Sequence, residues 1–293
     1  MRSVTCRPRG RGAASIVMTA WHAFAIPAAL IAVLLSSGCS HAPARQARAP
    51  GPQPVLRVMT YNVNFGIPGD APTLGAIEAG KADVVFLQEI NTAWIRSLRA
   101  TFGDAYPHTA FYPRVGAGGI GLMSRLPIRT QKLIAPEGDG WFPALRLVLD
   151  SPLGAVQVLV VHLRPPVSDG GSFVSGHFTA PGIHEKEITR FCESLDRALP
   201  TLVVGDFNEE KDGRAIGYLE RAESPIKMKS ALPEFQPDKP TWRWPTALHT
   251  FEGQFDHIVY DARLEPLSVE VLDAGRSDHF PVVGVFVLAR TPA

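Results

Sequence analysis

Gly205-Asp206-Phe207-Asn208, which closes the apolar run Leu202–Gly205, and Ser277-Asp278-His279-Phe280-Pro281, which precedes the apolar run Val282–Leu288, decide the fold. In both, acid, amide or imidazole side chains stand where a Val- and Leu-rich strand ends or begins. Outward from these two stretches the same pairing recurs. Asn62 follows Leu56–Tyr61, Glu89 follows Val84–Gln88, His162 ends Val156–His162, and Asp256 precedes His257–Tyr260. Polar side chains at strand ends along one edge of a packed sheet can converge on a cleft. Singly, each has a plain explanation: Asn62 as a turn former, Glu89 as a helix cap, His162 as a satisfied histidine, Asp206 and Asn208 as turn shapers. Six such sites together favour a shared function.

Gly119–Ser124 and Ala144–Leu149 complete the expected strands. Helices are expected over Thr73–Lys81, Thr92–Thr101, His184–Leu199 and Gly213–Arg221, the third carrying Ile188, Phe191, Cys192, Leu195 and Leu199 at helical spacing. Strands and helices mixed along an uninterrupted body predict one layered α/β domain over residues 55–293.

The leader reads differently. Arg2, Arg7, Arg9 and Arg11 precede an apolar run from about Ala23 to Leu35, and small residues follow, Ser36-Ser37-Gly38-Cys39. Charged, apolar and small residues in that order predict an export signal over residues 1–38. The apolar core is short for a membrane-spanning helix. Gly38-Cys39 resembles a bacterial lipoprotein lipobox, with Ser36 where Leu is usual. The resemblance implies cleavage before Cys39, lipid on its thiol and attachment to the cell envelope; without lipid the protein would be periplasmic or secreted. Residues 39–54 lack large apolar side chains and are expected to form a lipid-anchored or flexible tether. Cys6 would leave with the signal and Cys39 would be acylated, so Cys192 has no disulfide partner. A monomer is the expected state.

Six arginines and no acid fall within residues 1–54; the remaining body has 23 basic against 28 acidic residues, a balance of −5. Binding to nucleic acid through phosphates usually needs a basic surface. The acidic body weighs against that class, though a local basic groove would suffice.

Carboxylate and amide oxygens suit a hard cation such as Mg²⁺, with Mn²⁺ as a substitute. A histidine near neutral pKa moves protons, and an adjacent carboxylate fixes its tautomer. No cysteine cluster or His-Glu-x-x-His stretch occurs, which leaves structural and protease-type zinc sites unsupported. The ordered set Thr60-Tyr61-Asn62-Val63, Leu87-Gln88-Glu89, Val161-His162-Leu163, Gly205-Asp206-Phe207-Asn208 and Ser277-Asp278-His279 resembles the endonuclease/exonuclease/phosphatase superfamily, which includes DNase I-like nucleases and neutral sphingomyelinases.

That resemblance implies a four-layer α/β-sandwich, two mixed β-sheets packed face to face with helices outside. It implies metal-dependent hydrolysis of a phosphate ester, of which a phosphodiester is preferred. Its site roles give Glu89 to the metal with Asn62 beside it, and Asp278 to a second metal or to the hydrogen-bond network. They make His279 a general base or phosphate contact, oriented by Asp256. Asp206 would position or activate water, Asn208 would hold a phosphoryl oxygen, and His162 would bind or protonate on the leaving-group side. Small-molecule, lipid and nucleic-acid substrates all remain open, as does a non-catalytic binding module.

Other features are weaker. Gly116–Gly121 matches G-x-G-x-x-G, but no helix opens after it, so a dinucleotide site is rejected for a loop. Ser168–Gly182 is expected to be a mobile loop over the cleft, with Arg164 beside it either a clamp on a substrate phosphate or a surface arginine. His177 and His184 read as loop polarity or helix-start residues. Trp242 and Trp244 are expected to pack a loop to the body or to stack on a substrate ring.

Overall fold

The computed structural model describes residues 43–166, 173–221, 224 and 226–290, and for 173–178 the backbone alone. The expected signal, Cys39, residues 168–172 of the expected loop and the His177 side chain lie outside the described residues. Ala44–Ala293 form one compact unit. Among the described residues no helix is long and apolar enough to cross a membrane.

In chain order the elements begin β1 (Leu56–Asn62), α1 (Ala71–Gly80), β2 (Val84–Gln88), α2 (Thr92–Phe102), β3 (His108–Tyr112), β4 (Ile120–Ser124), β5 (Ile128–Ile134) and β6 (Ala144–Ser151). They continue with β7 (Gly154–His162), α3 (Phe173–Cys192), β8 (Thr201–Asp206), α4 (Arg214–Glu220), β9 (Met228–Ser230), α5 (Leu232–Phe235), β10 (Trp242–Pro245), β11 (Thr250–Gly253), β12 (Asp256–Asp261), β13 (Leu264–Val271) and β14 (Val282–Leu288). One sheet runs β13-β14-β1-β2-β4-β3 and the other β5-β6-β7-β8-β12-β9, with β10-β11 a separate hairpin. Each six-stranded sheet is mixed: β1–β2 and β7–β8 are parallel, whereas the flanking pairs are antiparallel.

Alternation along the strands makes the layers. Val58, Phe86, Leu122, Leu147, Val158, Val204, Ile258 and Phe286 face inward and fill the space between the sheets. Met59, Val85 and Leu87 point the other way, onto Ile77 of α1 and Trp94, Ile95 and Leu98 of α2. Leu159, Val161 and Val203 likewise meet Ile188 and Phe191 of α3 and Ile216 and Leu219 of α4. The result is the four-layer α/β-sandwich. Burial of each such side chain contributes about 1.5–3 kcal/mol before conformational entropy is counted.

The helices begin where the chain supplies caps. Asp70 accepts the Thr73 N–H at 2.9 Å, and Asn91 accepts the Trp94 N–H at 2.9 Å. Two expectations fail in part. Backbone helix already runs through Phe173–Gly182, within the expected loop, and the chain leaves the helix after Cys192 instead of at Leu199. Within the expected tether, Arg45 and Arg48 are held to the body. Arg45 N–H donates to Glu234 O (2.7 Å) and Arg48 N–H to Leu267 O (2.9 Å), at the point where a register shift between Pro266 and Ser268 interrupts the β13–β14 ladder. The Arg45 guanidinium pairs with Glu234 and Glu265 and lies over the Phe235 ring.

Strand register sets where the chemistry collects. Asn62 pairs with Gln88, and Gln88 with Ile120, along one end of the first sheet. His162 pairs with Asp206, and Asp206 with Asp256, in one row of the second.

Candidate active site

The Gly-Asp-Phe-Asn stretch is built by close approach. A Cβ on Gly205 would lie 1.9 Å from Val161 O, and Gly205 has φ +140°, so only glycine lets β8 close against β7 here. Asp206 then faces the site, Phe207 is buried against the edge of His257, and Asn208 turns back with φ 51°. Glu89 also has φ 63°. A left-handed backbone costs a non-glycine residue roughly 1–2 kcal/mol, less for Asn than for Glu. The surroundings hold both: Phe65 N–H donates to Glu89 Oε2 (3.0 Å), and Asn208 N–H to Asp206 Oδ1 (2.9 Å).

Asn62 joins the two sheets. Its Nδ2 donates to Glu89 Oε1 (3.1 Å) and to Asp206 Oδ2 (3.0 Å), while its Oδ1 accepts the Asn64 N–H (3.1 Å). Ser277 Oγ donates to Asn62 O (2.7 Å) and accepts the His279 N–H (3.2 Å), which brings the late Ser-Asp-His stretch to the same point. His279 Nδ1 is 2.8 Å from Asp256 Oδ2, and its Nε2 is 3.5 Å from Asp206 Oδ2. His162 Nε2 reaches the same Asp206 oxygen, also at 3.5 Å. Phe142 stacks on the His162 ring at 4.3 Å between centroids.

The two histidines have opposite charge preferences. Burial pushes His162 down to about 4, although Asp206 pulls the other way, so it is neutral near pH 7. Burial would also lower His279, but Asp256 and Asp206 overcome it and hold the imidazole up to about 10. Burial raises Asp206 against the pull of His279, and burial raises Glu89. Among the described residues, none of Glu89, Asp206, Asp256 and Asp278 has an ion pair with Lys or Arg.

Carboxylates gathered without a Lys or Arg partner among the described residues, beside a buried Asp256 Oδ1 that has no hydrogen-bond partner, suit a hard divalent cation. Oxygen or nitrogen atoms of Asp206, Asp256 and His279 all lie within 4.8 Å of one another. Asp256 Oδ2 is taken by His279 while its Oδ1 is open, and Glu89 stands across Asn62 from Asp206.

Comparison with known proteins fits this geometry. A match to the Endonuclease/Exonuclease/phosphatase family spans residues 59–279, from β1 to His279. The chain belongs to that family. No curated protein matches it in sequence. An endonuclease/exonuclease/phosphatase from Beutenbergia cavernae superposes with a TM-score of 0.64 at 20% identity, over 80% of this chain and 72% of that one. The human Nocturnin catalytic domain with bound sulfate anion gives 0.57 at 18%, over 81% and 96%. D. rerio TDP2 complexed with single-strand DNA product gives 0.57 at 16%, over 79% and 98%. At such identities the likeness establishes the fold alone.

The residues expected to converge in this member of the endonuclease/exonuclease/phosphatase family do so: Asn62, Glu89, His162, Asp206, Asn208, Asp256, Asp278 and His279 all stand at the same end of the sandwich. Two residues have contacts that define their surroundings. Asp278 accepts Asn64 Nδ2 (2.9 Å) on one oxygen and Trp242 Nε1 (3.3 Å) on the other, which places it in the hydrogen-bond network of the site. Arg164 is buried; its Nη1 donates to Asp139 O (2.9 Å) and its guanidinium lies over the Trp141 ring at 4.3 Å. These contacts tie it to the 137–141 loop. Trp242 packs the β10–β11 hairpin to the site through Asp278 and a bridge to His279. Gly116–Gly118 form a short 3-10 turn ahead of β4. His184, read as a helix-start residue, is buried inside α3 beside Glu209; only a helix extending upstream past Pro181 would have revealed it.

Proposed function

We propose that this chain is a phosphodiesterase that uses a hard divalent cation, Mg²⁺ first and Mn²⁺ second, and acts outside the cytoplasm. One observation carries it: both histidines meet the single buried oxygen Asp206 Oδ2, next to the Asn62–Glu89 pair. Phosphate-ester hydrolysis needs a water activated on one side of phosphorus and a stabilised leaving group on the other. The cation, with Glu89 its principal ligand and Asn62 orienting that carboxylate, would polarise a phosphoryl oxygen and offset developing charge.

The chain's own groups divide the remaining work. Asp206, raised by burial, accepts the proton of the attacking water. His279 is imidazolium near neutral pH, so it contacts a phosphoryl oxygen as a donor and leaves the role of base to Asp206. Asp256 orients it. His162, whose Nε2 faces the same Asp206 oxygen, binds the leaving-group side and passes to the departing oxygen the proton that Asp206 takes up. Asn208 spans Leu163 O (2.9 Å) with one Nδ2 hydrogen and offers the other to phosphate.

The export signal and a lipid on Cys39 would hold the enzyme at the bacterial cell envelope, where it works as a monomer on small-molecule or lipid phosphodiesters. The −5 balance of the body favours these over nucleic acid. The test is a panel of bis-(p-nitrophenyl) phosphate, p-nitrophenyl phosphate, sphingomyelin, DNA and RNA on residues 40–293, with Mg²⁺, Mn²⁺ or EDTA. Metal-dependent turnover of the diester or the lipid supports the reading; turnover of DNA or RNA alone replaces it with a nuclease. Palmitate labelling in a bacterial host, lost in Cys39→Ser, tests the anchor.

A further inference from the structure

Behind the site, one helix grips a single main-chain unit. On α3, His184 and Glu187 lie three residues apart, on one face, and both side chains are buried. Glu187 Oε2 accepts the N–H of Arg164 at 3.1 Å, and His184 Nε2 lies 2.6 Å from the carbonyl oxygen of Arg164. Both polar main-chain groups of Arg164 are thus met by side chains of α3. The carbonyl can only accept, so His184 Nε2 carries a proton. His184 Nδ1 lies 3.1 Å from Glu209 Oε2, and Glu209 Oε1 accepts the Ile216 N–H of α4 at 2.9 Å.

These contacts fall at two strand exits. Arg164 stands two residues beyond His162 at the end of β7, and Glu209 directly follows Asn208 beyond β8. Between them Asn208 Nδ2 donates to Leu163 O. We propose that His184 and Glu187 are positioning residues of the phosphoester site, fixing both exits so that Asn208 presents its amide beside His162 and Asp206. This rests on the phosphoesterase reading above, and it gives α3 a part in the reaction without contact to substrate.

A packing role alone does not account for the pair. Buried ionisable side chains are costly beside apolar ones of similar volume, and α3 already docks through Ile188, Phe191 and Cys192. Glu187 Oε1 has no hydrogen-bond partner, so this carboxyl is not a fully satisfied structural acid. What His184 and Glu187 add is direction for the Leu163–Arg164 backbone. A displacement near 1 Å at such a point costs about a hundredfold in rate.

The test compares His184→Ala, Glu187→Leu, Glu187→Gln and, as a packing control on the same helix, Cys192→Ala. Hydrolysis of bis-(p-nitrophenyl) phosphate with Mg²⁺ gives kcat and KM. The Asn208 side-chain amide, assigned by its loss in Asn208→Asp, is followed by NMR without substrate. His184→Ala and Glu187→Leu are expected to lose about tenfold or more in kcat with KM changed less than about twofold, and to shift the Asn208 amide. Glu187→Gln keeps an acceptor for Arg164 N–H and retains most of kcat; Cys192→Ala alters neither reading. If His184→Ala fails to fold, Glu187→Leu and the amide signal carry the same test. Folded variants with kcat within about twofold of wild type and an unmoved Asn208 amide overturn the proposal. A wild-type protein that turns over nothing would defeat the phosphodiesterase reading, while the amide shift would still decide the brace.

Discussion

Asp256 and His279 are joined at 2.8 Å between Oδ2 and Nδ1, both buried, and this contact aims His279 Nε2 at Asp206. The carboxylate fixes the tautomer and supports the imidazolium. Asp256→Asn keeps the shape and removes the charge. We expect kcat to fall by about 10²- to 10⁴-fold, with thermal unfolding little changed. A fall below about threefold would show that His279 does not depend on this partner.

Glu89 is held in a strained backbone by Phe65 N–H and Asn62, and burial raises its carboxyl. Glu89→Gln is nearly isosteric. We expect turnover to drop by about a hundredfold or more and the response to added Mg²⁺ to flatten, measured by titrating Mg²⁺ into EDTA-treated protein. An unchanged Mg²⁺ midpoint would remove Glu89 from the cation.

Burial holds the Glu187 carboxyl up to about 7, above its ordinary 4.5. The folded state therefore keeps this proton more tightly than the unfolded chain. Its contribution to stability is present below pH 4.5 and is lost as pH rises to about 7. Glu187→Gln removes that loss. Urea unfolding should show the variant gaining on the order of 2–3 kcal/mol over wild type at pH 8, and much less at pH 5. A difference independent of pH would contradict the assignment.

Gly205 admits no side chain, because a Cβ would meet Val161 O at 1.9 Å. Gly205→Ala should cost about 3 kcal/mol or more, through backbone strain and separation of β7 from β8. Chemical denaturation reads the loss directly, and a variant as stable as wild type would refute the close-approach argument.

The site was more legible in the sequence than the edges of the sheets. Asn62, Glu89, His162 and Asp206 each follow or end a largely buried strand, whose apolar run marks it plainly. Strands β3 and β5 escaped notice because they lie at sheet edges, where burial is partial in β3 and Arg129, Thr130, Gln131 and Lys132 of β5 are exposed. The start of α3 read as a loop because Gly176, Pro181 and Gly182 are poor helix formers. That misreading hid His184. The docking of Arg45 and Arg48 was invisible for another reason: it depends on Glu234 and Leu267, each more than 180 residues away.

The most direct measurement is Mg²⁺-dependent hydrolysis of bis-(p-nitrophenyl) phosphate by wild type, His279→Ala and Asn208→Ala, each verified as folded by circular dichroism. The account predicts turnover in wild type that EDTA abolishes, and a loss of about 10²-fold or more in both variants. Equal activity in all three proteins would contradict it.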